Sequence, residues 1–219
     1  FPTRRSSDLT LNQSLIGGTS PATIAPAGQT LRVNSILMAS GAGALTIGAG
    51  TLSTATAGGI LSLNNNNSIE DIIVDAVIAN HTSASGLNKS GTGWLILNAA
   101  NTYTGATVVG AGTLNLVGSI TGSAIAVNGS SVFLEDASGV IAGSSSLTLA
   151  STATSTLSGT NTHNGGTTLS AGNLILANSS ALGTGPFTLS GGNFNTDGII
   201  TSLASNNPLN WNGNFTFGG

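Results

Sequence analysis

Asn101-Thr-Tyr-Thr-Gly105-Ala-Thr107-Val-Val-Gly-Ala111-Gly112-Thr-Leu114-Asn-Leu116 returns sixty residues later as Asn161-Thr-His-Asn-Gly165-Gly-Thr167-Thr-Leu-Ser-Ala171-Gly172-Asn-Leu174-Ile-Leu176. About half of the positions are identical, and the identities fall on Gly, Thr, Asn and the alternating Leu. A shorter unit lies inside it: one or two glycines, one residue, then an apolar alternation. Gly41-Ala-Gly43-Ala-Leu45-Thr-Ile47, Gly91-Thr-Gly93-Trp-Leu95-Ile-Leu97 and Gly183-Thr-Gly185-Pro-Phe187-Thr-Leu189 repeat it, and Gly191-Gly192-Asn-Phe194 continues it. Glycine supplies a corner with positive φ. The alternation after it reads as a short strand with one buried face.

Composition narrows the fold. Gly, Ser, Thr and Asn make up about half of the 219 residues, and only 5% are charged. Those residues favour turns, caps and strand surfaces, which excludes a helix bundle. Collagen is excluded because 32 Gly show no three-residue period and only 5 Pro are present. Low charge with low hydrophobicity would suggest disorder, but 39% apolar residues argue against it. No apolar run reaches the length of a bilayer span, the longest being broken by Asp75 between Ile72 and Ala79. Arg4, Arg5, Arg32 and Lys89, against seven acids, make no basic stripe, so nucleic acid is not an expected partner. The absence of cysteine removes any disulfide framework or thiolate metal site, and fits an exported protein.

Short, evenly spaced strands allow a sandwich, a barrel or a solenoid. A sandwich core is filled by large residues from two sheets, whereas this chain offers Leu, Ile, Val and Ala with small residues between, and repeats itself. A parallel β-helix presents the same narrow cross-section at every coil, with coils stacked at about 4.8 Å. The expected fold is therefore all-β, a parallel β-solenoid of roughly ten coils of about 20 residues.

Lys89-Ser-Gly91-Thr-Gly93-Trp-Leu95-Ile-Leu97, Asn101-Thr102-Tyr103-Thr104-Gly105, Thr107 and Gly112-Thr-Leu114-Asn-Leu116 together resemble the autotransporter-associated β-strand repeat, also called the passenger-associated transport repeat. The clear resemblance covers about 30 residues. A weaker copy, without the Lys-x-Gly lead and with His163-Asn164 in place of Tyr-Thr, lies at 153–194 and carries Asn161, Gly165, Thr167, Gly172, Leu174 and Leu176. Residues 28–80 and 195–219 are compatible but degenerate. The resemblance implies a right-handed β-helix, export from a bacterial cell and a scaffold or transport-assisting role. It brings no catalytic residue, because the family motif contains none.

The opening segment Phe-Pro-Thr-Arg-Arg-Ser-Ser-Asp-Leu does not match the rest of the chain, and residues 1–9 are expected to be a non-native or disordered tail. The solenoid is expected over 10–219, with repeat copies near 89–133 and 153–194. The pattern is still running at Phe217-Gly218-Gly219, so the chain reads as an uncapped fragment.

Candidate chemistry is sparse. Asp71 and Asp75 share a face of one strand but stand about 13 Å apart, beyond the spacing of paired glycosidase carboxylates. Glu70 points the other way. Glu135 and Asp136 are adjacent, point to opposite faces and are expected to flank a turn before Gly139. Gly191-Gly192-Asn-Phe194-Asn-Thr-Asp197 departs from the calcium-binding nonapeptide at its third glycine and at the aspartate position. His81 and His163 have no ligand partners in pattern, and His163 is expected to be a tolerated surface change. Lys89 is expected to be a solvent-facing coil residue. No cofactor and no metal is expected.

These readings lead to a non-catalytic structural or adhesive stalk segment of an exported passenger protein, at the cell surface or secreted. Its expected partners are neighbouring coils of a longer chain, a surface or matrix glycan or protein, and further copies joined through exposed ends, with a membrane reached only through a barrel or anchor outside these residues. The alternative is a glycan-binding or glycan-cleaving β-helix that uses acids such as Asp71, Asp75 and Glu135. Ice binding through Thr54-Ala-Thr56, Thr102-Tyr-Thr104 and Thr152-Ala-Thr154 is disfavoured, since the pairs do not recur once per coil.

Overall fold

The computed structural model describes residues 8–11, 14–200 and 202–218. Residues 1–7 of the expected tail lie outside them; Asp8 and Leu9 open a strand, Asp8–Leu11, that pairs in parallel with Thr30–Val33. Among the described residues every element is a β-strand, every pairing is parallel, and each strand pairs with its counterpart one coil away. Two faces of the solenoid are ten-stranded sheets. One runs from Ser14–Ile16 to Leu209–Trp211, the other from Ala22–Ile24 to Thr216–Gly218. We call these the second and third faces. The first face is a four-stranded sheet from Asp8–Leu11 to Val77–Ala79, followed by a three-stranded one from Ala100–Asn101 to Val140–Ala142. The all-β parallel solenoid of about ten coils expected from the sequence is the fold observed.

Alternation builds the interior. Trp94–Leu97 and Val132–Glu135 bury every second residue, and the register stacks like on like: Leu95 on Ile72 and Leu114, and Leu97 on Val74 and Leu116. These inward leucines are fully buried. Burying one leucine side chain stabilises by roughly 1.5–3 kcal/mol, and the stack repeats that contribution at each coil. The sixty-residue repeat is three coils: on the third face Leu114 pairs with Phe133, and Ser155 with Leu174. Asn101 therefore stands on coil five and Asn161 on coil eight.

Glycines make the corners. At Gly112 and Gly172 φ is +65° and +68°, and a Cβ there would collide with backbone carbonyls of the coil below, those of Gly91 and Gly93 in one copy and of Ser151 and Ala153 in the other. The same residue type is demanded twice, sixty residues apart, by curvature and by close stacking.

Candidate functional site: the polar interior of the repeat

The repeat residues that are not leucine or glycine also point inward. Asn101 is 2% exposed and Asn161 3%. Asn101 Oδ1 accepts the Ile78 N–H at 2.9 Å, while its amide donates to the carbonyls of Ala99 at 2.9 Å and Ser119 at 3.1 Å. Asn161 Oδ1 accepts the Ile141 N–H at 2.6 Å, and its amide donates to the Ala181 carbonyl at 2.8 Å. Each asparagine thus joins the coil before it to the coil after it, where the first face has little or no regular strand. Buried backbone groups need such partners.

Tyr103 is fully buried, and its hydroxyl lies 2.7 Å from Thr107 Oγ1. Thr107 Oγ1 is 2.8 Å from Ser123 Oγ, which donates to the Gly105 carbonyl at 2.8 Å. Since the Ser123 proton is committed to Gly105, the donors run in one direction, from Tyr103 to Thr107 to Ser123. Burial pushes the Tyr103 phenol above its ordinary pKa, so it stays neutral. His163 occupies the same place in the second copy: fully buried, with Nε2 3.0 Å from Thr167 Oγ1. The expected surface histidine is therefore corrected to a core residue. The position asks for a ring that can hydrogen-bond to a threonine four residues on, and imidazole meets that need. Burial lowers the His163 pKa, opposed by the Ile141 backbone.

Gly105 and Gly165 complete the motif. Their N–H groups donate to the carbonyls of Ser85 and Ser145, and a Cβ on either would come within 2.5 Å of the same oxygen. Thr102 and Thr104 are the outward members, exposed on the solenoid surface. Thr104 exchanges bonds with Asn80 of the preceding coil, its N–H donating to Oδ1 at 3.0 Å and its Oγ1 lying 3.0 Å from Nδ2.

Lys89 is the second correction. It is 0% exposed, and its ammonium donates to the carbonyls of Ser90 at 2.9 Å, Gly91 at 2.9 Å and Ala111 at 3.0 Å. Three donors meet three acceptors at the corner between the second and third faces. Desolvation lowers the pKa to about 8. The sequence signal is the parity of Leu87 and Lys89, which places both on the inner side of Gly86–Ser90.

Glu135 also points inward. It stacks between Leu116 and Leu157, and Oε2 accepts the Gly159 N–H and the Asn161 amide, both at 3.0 Å. Burial raises its pKa to about 7 against those two hydrogen bonds. Asp136, as expected, faces the other way at a turn closed by the Gly139 N–H on the Asp136 carbonyl. Its carboxylate is held below the usual range by Ser138.

The structure does not gather the acids. Asp71 and Asp75 flank Ile72–Val74 on the outer side of coil three, with Asp75 Oδ1 accepting the Asn98 amide at 2.7 Å. Burial and the neighbouring Glu70 raise the Asp71 pKa. Glu135 lies inside coil six, three coil spacings or roughly 14 Å along the axis. It belongs to the interior and is removed from the set of acids that could act on a glycan. Among the described residues no three His, Asp or Glu side chains stand close enough to hold a metal ion.

The fold and its polar interior define a β-solenoid whose repeated residues are stacking residues. Residues 87–116 and 142–176 match the family model of the passenger-associated-transport-repeat. Two stretches of the chain thus match that repeat, which fits an autotransporter passenger repeat protein. The second match begins earlier and ends earlier than the copy read at 153–194. No curated protein and no solved structure matches the chain.

Proposed function

We propose that this chain is a non-catalytic structural or adhesive segment of an exported passenger, a stiff stalk displayed on the outer-membrane side of a Gram-negative-type cell. One observation carries the reading: apart from the outward threonines, the residues shared by the two copies are spent on holding coil to coil. Asn101 and Asn161 bridge coils, Thr107 and Thr167 anchor a buried ring, and the glycines and leucines make corners and core. What repetition preserves here is stacking. Beyond the stalk itself, contacts to a surface or matrix glycan or protein fall to the outer side chains.

The interior columns run on to the last described coil, where Leu209, Trp211 and Phe217 stack on Phe187, Leu189 and Phe194 and are 55–69% exposed. Further coils of a longer passenger, or another copy of the chain, fit that end. Light scattering across a dilution series should show concentration-dependent association; a strict monomer at high concentration would count against it. The non-catalytic reading is tested by incubating the folded chain with a polysaccharide panel. Expected is no product release. Release that Asp71→Asn abolishes would replace the stalk by a glycan-cleaving enzyme.

A further inference from the structure

Glu135 stands where the corresponding position of the neighbouring coils is Leu97, Leu116, Leu157 and Leu176. A carboxyl group in that column needs room and partners, and two glycines provide both. A Cβ on Gly139 would lie 2.7 Å from Glu135 Cγ, and one on Gly159 would lie 2.8 Å from Cδ, so the carboxyl is seated between two positions that only glycine can fill. Oε2 receives the Gly159 N–H and the Asn161 amide, while Oε1 is buried and meets no partner. Asn161 in turn holds Ile141 of the coil before and Ala181 of the coil after. One carboxyl therefore sits behind the side chain that ties three coils together.

We propose that Glu135 is a proton-controlled latch for the corner joining coils six to nine: the apolar column accommodates its neutral form, and its ionisation, although it strengthens the two bonds to Oε2, puts an uncompensated charge in the column and loosens the local stack. An ionised carboxylate in this apolar column has one unsolvated oxygen, which is costly. The groups facing it leave that charge uncompensated. The adjacent strands contribute Leu116 and Leu157, Asp136 next in sequence turns outward onto Ser138, and His163, two residues beyond Asn161, is held toward its neutral form by burial.

The raised pKa sets the sign. The unfolded chain releases this proton near the ordinary value of 4.5 and the folded chain near 7, so the stabilisation is complete below about 4.5 and is lost as pH rises through 7. Hydrogen exchange on the folded full chain, corrected for intrinsic pH dependence, reads it directly. Opening at the Gly159 and Asn161 amides should rise on the order of 100-fold between pH 5 and pH 8, while amides around Asn101 stay flat. Glu135→Gln, which keeps the shape and both acceptor contacts without the charge, should abolish the rise, and Glu135→Leu, which restores the column, should do the same. A wild-type profile that stays flat, or one that Glu135→Gln leaves unchanged, overturns the proposal.

Discussion

The two copies of the repeat solve the same stacking problem with different polar groups. At the corner between the second and third faces, the first copy uses Lys89 on three carbonyls. Sixty residues on, that position is the buried Leu149, and the donor has moved two residues along to Ser151, whose hydroxyl bonds the Ser131 carbonyl. At the ring position Tyr103 gives way to His163 with the same threonine contact. Asn101 bonds only backbone, whereas Asn161 trades one carbonyl for Glu135. The corner and the bridge are obligatory because backbone groups there are buried; which side chain serves them is free. The first copy's bridge and ring meet no carboxyl or imidazole, whereas the second copy's bridge bonds the carboxyl of Glu135 and its ring is the imidazole of His163.

Substitutions test that difference. The largest effect is expected from the bridges. Asn101→Leu strands the Ile78 N–H and the Ser119 carbonyl and should cost about 3 kcal/mol or more in denaturant unfolding, equally at pH 5 and pH 8. Asn161→Leu should cost a similar amount at pH 5 and more at pH 8, where an ionised Glu135 loses its amide donor. Equal pH dependence for the two variants would falsify the distinction between the copies.

Next comes the corner. Lys89→Leu imports the second copy's residue without its compensating serine, leaving three carbonyls unmet, and should cost about 2 kcal/mol near neutral pH. Wild-type stability should also rise between pH 8 and 10.5. The folded chain gives up the Lys89 proton near 8 while the unfolded chain holds it to 10.5, so the charge penalty disappears in that window. The variant should lack that rise, which a melting series across pH checks.

The ring exchange is the smallest. Tyr103→Phe removes one donor from the Thr107–Ser123 chain and should cost about 1 kcal/mol. His163→Tyr should remove an acid sensitivity. The His163 pKa is lowered in the fold, so the unfolded chain binds the proton first and stability falls as pH drops below 6.5. Thermal melts at pH 5 and 7 should therefore differ less for His163→Tyr than for wild type, and more for Tyr103→His.

Most of the architecture is legible in the amino acids. Leu95, Leu97, Leu114 and Leu116 announce their face by alternation, Gly112 and Gly172 announce their corners by recurrence, and the sixty-residue offset is three coils. The polar interior is harder to read. Lys89 and His163 read as surface residues because polar residues usually sit there. For Lys89 the parity with Leu87 points inward, and for His163 the shared spacing to Thr167 does. Glu135 gives a weaker signal, since Val132-Phe-Leu-Glu135 places apolar residues on both sides of the strand.

That the chain coils, where it turns and how long each coil is can be read from the amino acids alone, since these follow from local alternation and from glycine's freedom at positive φ. Which polar groups are enclosed, and what they touch, emerges once the coils stack. The partners of Lys89, Asn101, Glu135 and Asn161 include atoms on neighbouring coils, about 20 residues away in sequence. The pKa shifts of Lys89 and Glu135 likewise come from desolvation by stacked coils. An enclosure made by neighbours in space has no signature in any one stretch of chain.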